Sequence, residues 1–395
     1  MYYMKQRWNF RAYPTDEQKR ILERTFGCVR YVYNWGLALR SNGFKNGEKI
    51  NYVQSSAALT KLKQEKDKQW LTEVSCVPIQ QSLRNLQGAF VNFFEKRAKY
   101  PTFNKKGFDA SAEYTTHGFK FNLKKQRLSI AKIGFLRIRF SRPICVNPTT
   151  VNIIKRPSGR YFISMVVDID SPPLPKTGEN IGVDFGVFRL ATLSNGETIP
   201  NPKYSNKYQK RLARAQRILA RRVKISKRRE RARIRVAKIH EKIADSRKDA
   251  LHKFTTNIVR RFDKIYIEDL NLRGMTKNHC LARSLSDVGI GIAIMMLEYK
   301  ASWYGKEVIK IDRFYPSSKT CSNCGYILPE LPLGVREWIC PRCGTVHDRD
   351  VNAAKNIKAV GQTVSAHGAG VRLVEPSGSK SNLRRSANHL SAPKT

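Results

Sequence analysis

The chain has 395 residues, of which 41% are hydrophobic and 10% aromatic, which is enough apolar material for a folded core. Its 74 Lys and Arg residues far outnumber its 31 Asp and Glu residues and give a formal net charge of +43. An excess of this size is typical of proteins that work bound to a polyanion. It argues against a small-molecule enzyme, a secreted disulfide scaffold or a disordered basic chain.

The apolar segments and the cysteines favour a cytoplasmic protein. The first ten residues, MYYMKQRWNF, contain no apolar core of a signal peptide. The longest apolar stretch, at 288–297, is too short to span a bilayer. Four of the eight cysteines stand singly, at Cys28, Cys76, Cys145 and Cys280, which fits a reducing compartment better than a disulfide framework.

The N-terminal segment predicts a strand followed by a helix. Residues 5–13 alternate between polar and apolar side chains, as a half-buried strand does. Pro14 ends this strand, and Thr15 and Gln18 have the spacing of a helix capping box. Apolar residues at helical spacing then predict a helix that runs to about Leu39.

Two further helices are predicted over 53–64 and 77–97 before the hydrophobic period changes. Between 106 and 170, short alternating runs are separated by Pro, Gly and Asn, which predicts a small β-rich domain. Because residues 5–13 are also strand-like, we expect one β-barrel with the helices inserted after its first strand.

The remainder of the chain predicts an α/β domain, because strands alternate with helices. Residues 171–177, SPPLPKT, have the composition of a linker. The predicted elements that follow are a hairpin over 178–199, a basic helical region over 203–260, a strand over 264–270, an apolar helix over 285–304, a strand over 307–314 and a last helix from Asp350. From about residue 366 the periodicity is lost, which predicts a mobile tail.

Four clustered cysteines predict a zinc site. Cys321 and Cys324 form one C-x-x-C knuckle, and Cys340 and Cys343 form a second one fifteen residues later. Two thiolates from each knuckle complete a tetrahedron around Zn²⁺, and a closed four-cysteine site is structural. His347, four residues after Cys343, is expected at the surface or facing a phosphate. We therefore expect a zinc ribbon inserted into the α/β domain, with a redox pair as the alternative.

The basic helical region is the second chemical signal. Between Lys203 and Lys238, sixteen of 36 residues are Lys or Arg, and one residue, Glu230, is acidic. A run of one sign repels itself unless phosphates are near, so we expect nucleic-acid contact here, with a solvated helix face as the alternative. The turn of a helical hairpin is expected at 226–229. The candidate phosphate contacts are Arg221, Arg222, Lys227, Arg228 and Arg229.

Three carboxylates at the ends of predicted elements are the third signal. Asp184 lies in IGVDFG, Glu268 ends KIYIE, and Asp350 stands where the last helix begins. Each has an ordinary alternative, respectively a hairpin cap, a surface acidic pair and a helix N-cap. A carboxylate at the end of a buried strand nevertheless costs folding free energy unless it is paired or bound to a metal. Three carboxylates that hold two Mg²⁺ ions are suited to phosphodiester hydrolysis. The sequence has no G-x-S-x-G and no Walker A loop, which argues against a serine nucleophile and ATP-driven work.

Several strings of the sequence resemble the TnpB (OrfB-type) proteins of bacterial and archaeal insertion sequences, which are related to type V CRISPR effectors. The family's N-terminal segment resembles YPTDEQKRILERTFGCVRYVYN, and its first and second RuvC motifs resemble GVDFGV and IEDLNL. Its zinc ribbon and third motif resemble YPSSKTCSNCG and WICPRCGTVHDRDVNAAKNI. The resemblance covers nearly the whole chain.

The resemblance implies a RuvC (RNase-H-like) nuclease domain with an inserted zinc ribbon, behind a wedge β-barrel that carries a helical recognition insertion. The implied domains are the wedge barrel at 1–14 and 106–170, the helical insertion at 15–105, the linker at 171–177, the nuclease domain at 178–315 and 347–365, the zinc ribbon at 316–346, which binds target nucleic acid, and the tail at 366–395.

By the same resemblance, Asp184, Glu268 and Asp350 fall on the catalytic positions and hold two Mg²⁺ ions, for which Mn²⁺ can substitute. Asp348 is a rival for the third acid. The family's acid precedes x-N-A-A, which selects Asp350. Asn352 is expected to hold the acids in position without binding the metal itself.

The family is RNA-guided, so the implied partners are a guide RNA from the transposon end, with one protein per RNA, and double-stranded target DNA in the bacterial or archaeal nucleoid. A short motif beside the target is read by the protein. Tyr52, Gln80 and Thr116 are candidates for this reading, because Gln can bond adenine, Thr can contact the thymine methyl group and Tyr can pack on a base. Ordinary surface positions are the alternative.

The implied function is therefore an RNA-guided, Mg²⁺-dependent DNA endonuclease of an insertion sequence. A nuclease-inactive, RNA-guided DNA-binding protein is the first alternative, and the complete set of three acids argues against it. A transposase that joins strands itself ranks last, because the sequence has no His-hydrophobe-His with a matching tyrosine.

Overall fold

The structure is a computed structural model that describes residues 3–106, 109–170, 172–332 and 334–366. The side chains of Tyr3, Asp170 and residues 279–281 are also outside the description, as is nearly all of the tail expected from 366. The chain divides into a first unit, Met1–Ser171 with Lys210–Lys242, and a second unit, Pro172–Gln209 with Ile243–Thr395.

The first unit begins with a strand, three helices and a set of short strands. They are β1 (Tyr3–Ala12), α1 (Asp16–Lys45), α2 (Tyr52–Leu62), α3 (Cys76–Phe94), β2 (Ala110–Thr115), β3 (Phe119–Asn122), β4 (Arg127–Ile130), β5 (Gly134–Leu136), β6 (Ile138–Arg139), β7 (Thr150–Lys155) and β8 (Tyr161–Asp170). The capping box predicted at Thr15 and Gln18 is confirmed. Helix α1 runs past the predicted end at Leu39 to Lys45. Ile50 packs on its last turns at Gly43, where a Cβ would lie 2.5 Å from the Ile50 Cδ1.

The strands of the first unit form two sheets rather than one barrel. The larger sheet is antiparallel with the order β2-β7-β8-β1-β6, and the smaller has the order β3-β4-β5. Side chains from both sheets and from α1, among them Phe10, Leu22, Tyr114, Leu128 and Ile163, share one core. The expected closed barrel is wrong. Among the described strands β6 has two residues and pairs only with β1, so it cannot close the sheet onto β2.

The second unit continues with strands and helices in alternation, and the hairpin α4–α5 passes through both units. The elements are β9 (Asn180–Phe185), β10 (Arg189–Leu193), β11 (Thr198–Pro200), α4 (Tyr204–Ala220), α5 (Lys227–Arg261), β12 (Lys264–Glu268), α6 (Leu272–Met275), α7 (His279–Val288), α8 (Ile290–Tyr304), β13 (Glu307–Ile311), β14 (Glu337–Ile339), β15 (Val346–Asp348) and α9 (Arg349–Ala366).

The sheet of the second unit has the order β11-β10-β9-β12-β13. Strands β9, β12 and β13 are parallel, so their carboxyl ends meet at one edge. Helix α9 packs closely on the sheet through two glycines. A Cβ at Gly182 would lie 2.1 Å from the Ala354 carbonyl oxygen, and one at Gly361 would lie 2.1 Å from the Tyr266 ring. Only glycine allows this approach.

Two local predictions for the helices are wrong. The single helix expected over 285–304 is broken between α7 and α8 at Gly289, which has φ +76°. There the side chains of Arg247 and Leu251 approach to 3.1–3.2 Å of the position of a Cβ. The hairpin turn lies at 221–226, ahead of the predicted 226–229. In the described part of the chain, no helix has the length and apolar character needed to cross a membrane.

Candidate functional site

The three carboxylates approach one another at the carboxyl edge of the parallel strands. Asp184 lies near the end of β9 and Glu268 ends β12. The register pairs Val183 with Ile267, the residues just before these two acids. Asp350 lies in the first turn of α9, which packs over β9 at Gly182.

The charges of two of the acids act on the third. Burial, together with the charges of Asp350 and Glu268, raises the pKa of the Asp184 carboxyl to about 8. Arg349 and Arg336 oppose it. Burial also raises the pKa of Glu268, with a further contribution from Asp269. Without a cation, the site therefore disfavours full ionisation of its acids.

The spacing of the three acids is wider than a cage for one ion. Within the described residues, the four cysteines are the group of potential ligands whose ligand atoms all lie within 4.8 Å of one another. The carboxylate oxygens of Asp184, Glu268 and Asp350 do not all lie within this distance of one another.

Asp348 and Asp350 have different environments. The Oδ1 atom of Asp348 accepts hydrogen bonds from the backbone N–H groups of Asp350 and Val351, both at 3.0 Å, and its Oδ2 lies 3.3 Å from Nη1 of Arg189. Asp348 therefore caps α9. Oδ1 of Asp350 lies 3.4 Å from Nη1 of Arg336, and its charge acts on Asp184.

We expect Asp184→Asn to stabilise the metal-free protein at neutral and mildly basic pH. The folded protein holds a proton on Asp184 up to about pH 8, whereas the unfolded chain releases it above about pH 4. Folding stability of the wild type therefore falls as pH rises through this window, and the variant lacks that loss. In EDTA, the difference in Tm should widen by a few degrees between pH 5 and pH 8. Asp249→Asn, which changes an exposed acid, is the control. A constant difference would contradict the assignment.

The predicted clustering of the four cysteines is confirmed. The Sγ atoms of Cys321 and Cys343 are 3.7 Å apart, and those of Cys324 and Cys340 are 3.6 Å apart. Tetrahedral sulfur ligands at about 2.3 Å from Zn²⁺ are separated by about 3.8 Å. Hydrogen bonding to Thr345 lowers the pKa of the Cys343 thiol to about 6, which favours the thiolate that a metal needs.

Two residues around the cysteines are placed differently from expectation. His347 is buried rather than at the surface. Its Nε2 atom lies 3.0 Å from Sγ of Cys321, and its ring packs on Trp338. Asn352 does not contact the acids. Its side chain accepts from the N–H of Ser322 at 2.9 Å and donates to the Thr320 carbonyl oxygen at 2.7 Å, so it fastens α9 to the first knuckle.

The turn between α4 and α5 exposes most of its basic side chains. Arg221, Arg222, Lys227 and Arg228 are exposed. Arg229 is different, because its Nη1 donates to the carbonyl oxygens of Leu219 at 3.0 Å and Arg222 at 2.9 Å. It caps the end of α4 and so has less freedom to contact a phosphate.

Of the three candidates for motif reading, Gln80 lies on α3, and Tyr52 and Thr116 lie on elements that contact α3. Gln80 and Thr116 are exposed, and the turn at Thr116–Gly118 contacts α3 through Val77. The Tyr52 hydroxyl accepts a hydrogen bond from Nε of Arg84, one helical turn after Gln80, at 3.2 Å. The sequence analysis did not name Arg84. Its spacing of four residues from Gln80 places both on one face of α3, which could have identified it as a neighbour of Gln80.

Comparison with known proteins gives the family. A Streptomyces pristinaespiralis protein, named as a proposed RNA-guided DNA endonuclease, is 48% identical over 377 residues, which is 94% of this chain and 93% of the relative. The chain belongs to the TnpB (OrfB-type) family. The Escherichia coli (strain K12) protein InsQ, which is also named as a proposed RNA-guided DNA endonuclease, is 33% identical over 94% of this chain and 96% of its own length.

Family models and solved structures agree with this membership. Three models match, described as a probable transposase at 163–279, a Cas12f1-like TNB domain at 292–357 and a helix-turn-helix domain at 1–49. The fold is similar to that in a structure titled as a Cas12f1-sgRNA-target DNA complex, with a TM-score of 0.58 and 13% identity over 90% of this chain and 99% of the other.

Proposed function

We propose that this TnpB protein is an RNA-guided, Mg²⁺-dependent DNA endonuclease of an insertion sequence. It cuts DNA beside a short target-adjacent motif, using Asp184, Glu268 and Asp350 as the acids of a RuvC-type centre. The observation that carries the proposal is the approach of these three acids, from elements more than 80 residues apart in the sequence, at one edge of the sheet.

The acids fit divalent cations on their own chemistry. Their oxygens are the ligands that Mg²⁺ and Mn²⁺ prefer. The burial of Asp184 and its repulsion by Asp350 and Glu268, which together raise its pKa, are costs that a bound cation would offset. Bound Mg²⁺ would supply activation of the attacking water and stabilisation of the leaving oxygen. Asp348, through its cap on α9, holds Asp350 in position. Arg336 beside Asp350 is placed to attract a phosphate.

The rest of the chain serves the nucleic acids and the fold. The α4–α5 turn contacts guide-RNA or target phosphates, and the four cysteines hold one structural Zn²⁺. We propose the domains as given by the family: a wedge at 1–14 and 106–170 with its helical insertion at 15–105, a nuclease domain at 178–315 and 347–365, and a ribbon at 316–346.

Removing charge from the α4–α5 turn should flatten the salt dependence of RNA binding. Each lost phosphate contact reduces the slope of log K against log salt by about 0.7–0.9. Changing Arg221, Arg222, Lys227 and Arg228 together to Gln should therefore lower the slope by about 3 in a filter-binding titration. The control replaces the three arginines with Lys, which keeps the charge and should keep the slope. An unchanged slope in the Gln variant would remove this turn from the RNA contacts.

Gln80→Ala should relax the preference for one base of the target-adjacent motif. A bidentate contact from Gln to adenine gives about 1–3 kcal/mol of discrimination, which a cleavage assay on DNA with randomised flanks resolves. Gln81→Ala, about 100° away around α3, is the control. If Gln80→Ala keeps the wild-type motif, Gln80 is not a reader.

The function is tested with the protein purified together with its RNA. Matched target DNA should be bound and cut in Mg²⁺ or Mn²⁺, bound but poorly cut in Ca²⁺ and not cut in EDTA. Binding without cutting in every metal would favour the nuclease-inactive RNA-guided binder. Joining of strands without guide dependence would favour a transposase.

A further inference from the structure

An exposed aromatic side chain contacts the arginine that lies beside Asp350. Phe188 follows β9 in the turn to β10 and is 61% exposed. Two cations flank its ring, Lys203 with Nζ at 5.6 Å and Arg336 with Cζ at 5.4 Å from the ring centroid. Arg336 also reaches Oδ1 of Asp350 at 3.4 Å. One guanidinium therefore connects the aromatic ring with the acid edge.

These side chains line a groove of about 490 Å³ within the second unit. Its walls carry three cations, Lys203, Arg283 and Arg336. Its acid, Asp287, is already occupied, because Oδ1 accepts from Nη2 of Arg247 at 3.0 Å and from the Ser205 hydroxyl at 2.7 Å. The groove therefore presents a positive surface to a ligand.

The backbone holds one of the cations in a costly conformation. Lys203 has φ +44°, in the left-handed region that disfavours residues with a Cβ. The Asn201 side chain fixes this turn, because its Oδ1 accepts from the Lys203 N–H at 3.0 Å and its Nδ2 donates to the Val187 carbonyl oxygen at 2.7 Å. The same asparagine thus ties Lys203 to the turn that carries Phe188.

We infer that Phe188 is a stacking platform for one base of the DNA strand that is cut, with Lys203, Arg283 and Arg336 holding the flanking phosphates. The inference rests on the proposed nuclease function. Groove-lining cations with an exposed ring form the usual site for single-stranded nucleic acid, since every base has a stacking face and every nucleotide a phosphate. A duplex keeps its bases paired and stacked on each other, so the occupant is a single strand. Phe188 is a positioning residue: it sets the place of the strand relative to the acids.

The test uses RNA-loaded protein and target DNA in which one abasic nucleotide is moved along the cut strand. Wild-type cutting should slow at one position only. Phe188→Leu, which keeps an apolar side chain but has no aromatic face, should cut about 5- to 150-fold more slowly, and the abasic position should no longer matter. Phe188→Trp should retain both the rate and the position dependence. Guided DNA binding should be equal in all three proteins.

Stacking is also measured without cutting, by quenching of 2-aminopurine in a single-stranded DNA bound to RNA-loaded Asp184→Ala protein. Phe188→Leu in this background should remove the quenching. If the wild type cuts DNA and Phe188→Leu changes neither the rate, nor the abasic pattern, nor the quenching, the stacking inference is overturned and the nuclease function remains. If the wild type never cuts DNA but the quenching still depends on Phe188, the nuclease function is overturned and the stacking site remains.

Discussion

Loss of any one of the acids Asp184, Glu268 and Asp350 should abolish guided cutting and leave RNA loading and guided DNA binding intact. Asp184→Ala, Glu268→Gln and Asp350→Ala should each slow cutting on the order of 10⁴-fold, nearly as much as the triple variant, because groups that act as a unit are strongly non-additive. Affinity should persist because it comes from basic surface and base pairing. Single-turnover cutting rates and gel-shift titrations measure the two properties separately.

Asp348 provides the matched control for Asp350. Asp348→Asn keeps a side-chain oxygen that can cap the N–H groups of Asp350 and Val351, so it should retain most of the cutting rate. Asp348→Ala removes the cap and should cost part of that rate. An inactive Asp348→Asn together with an active Asp350→Asn would move the third acid by two residues. Wild-type cutting rates for all acid variants would mean that these three acids are not the catalytic centre.

Loss of one thiolate from the cysteine cluster should remove zinc and unfold the ribbon. For a small metal-bound segment, metal-binding energy is folding energy, and the described residues of this segment include few buried hydrophobic side chains: Cys321, Trp338 and Cys340. Cys324→Ser or Cys343→Ser should therefore lose about one Zn²⁺ per chain by elemental analysis. Limited proteolysis should then cleave within 316–346.

Cys145→Ser, which changes an exposed cysteine outside the cluster, is the control and should keep the metal. Because Asn352 and Asn356 donate to carbonyl oxygens of the first knuckle, the start of α9 should also loosen when the ribbon unfolds. Purified wild-type protein with no zinc would contradict the assignment.

Features encoded in a short stretch of sequence were predictable. The capping box at Thr15 needs only two side chains three residues apart, and the two C-x-x-C knuckles need only local turns. The ends of β9 and β12 were also visible, because each acid follows a run of buried apolar residues. These patterns marked Asp184 and Glu268 as candidates, whereas the choice of Asp350 over Asp348 depended on the family resemblance.

Features that depend on side chains distant in the sequence were not predictable. The break at Gly289 depends on Arg247 and Leu251, and the burial of His347 depends on Trp338 and Cys321.

The open sheet follows from the two-residue length of β6, which alternation cannot reveal. The cap made by Arg229 depends on the packing of α5 against the end of α4. The exposure of the Phe188 ring depends on the elements that form the groove. Neither feature can be recognised from a sequence pattern. Such contacts decide which basic or aromatic residues remain free for nucleic acid.

Guide exchange tests the central claim most directly. Protein loaded with either of two guide RNAs is incubated in Mg²⁺ with two plasmids, each matched to one guide and carrying the same adjacent motif, and Asp350→Asn protein is treated in parallel. We expect the wild type to cut only the matched plasmid in each pair, and Asp350→Asn to bind the same plasmid without cutting it. Cutting of both plasmids with either guide, or equal cutting by Asp350→Asn, would contradict the proposed function.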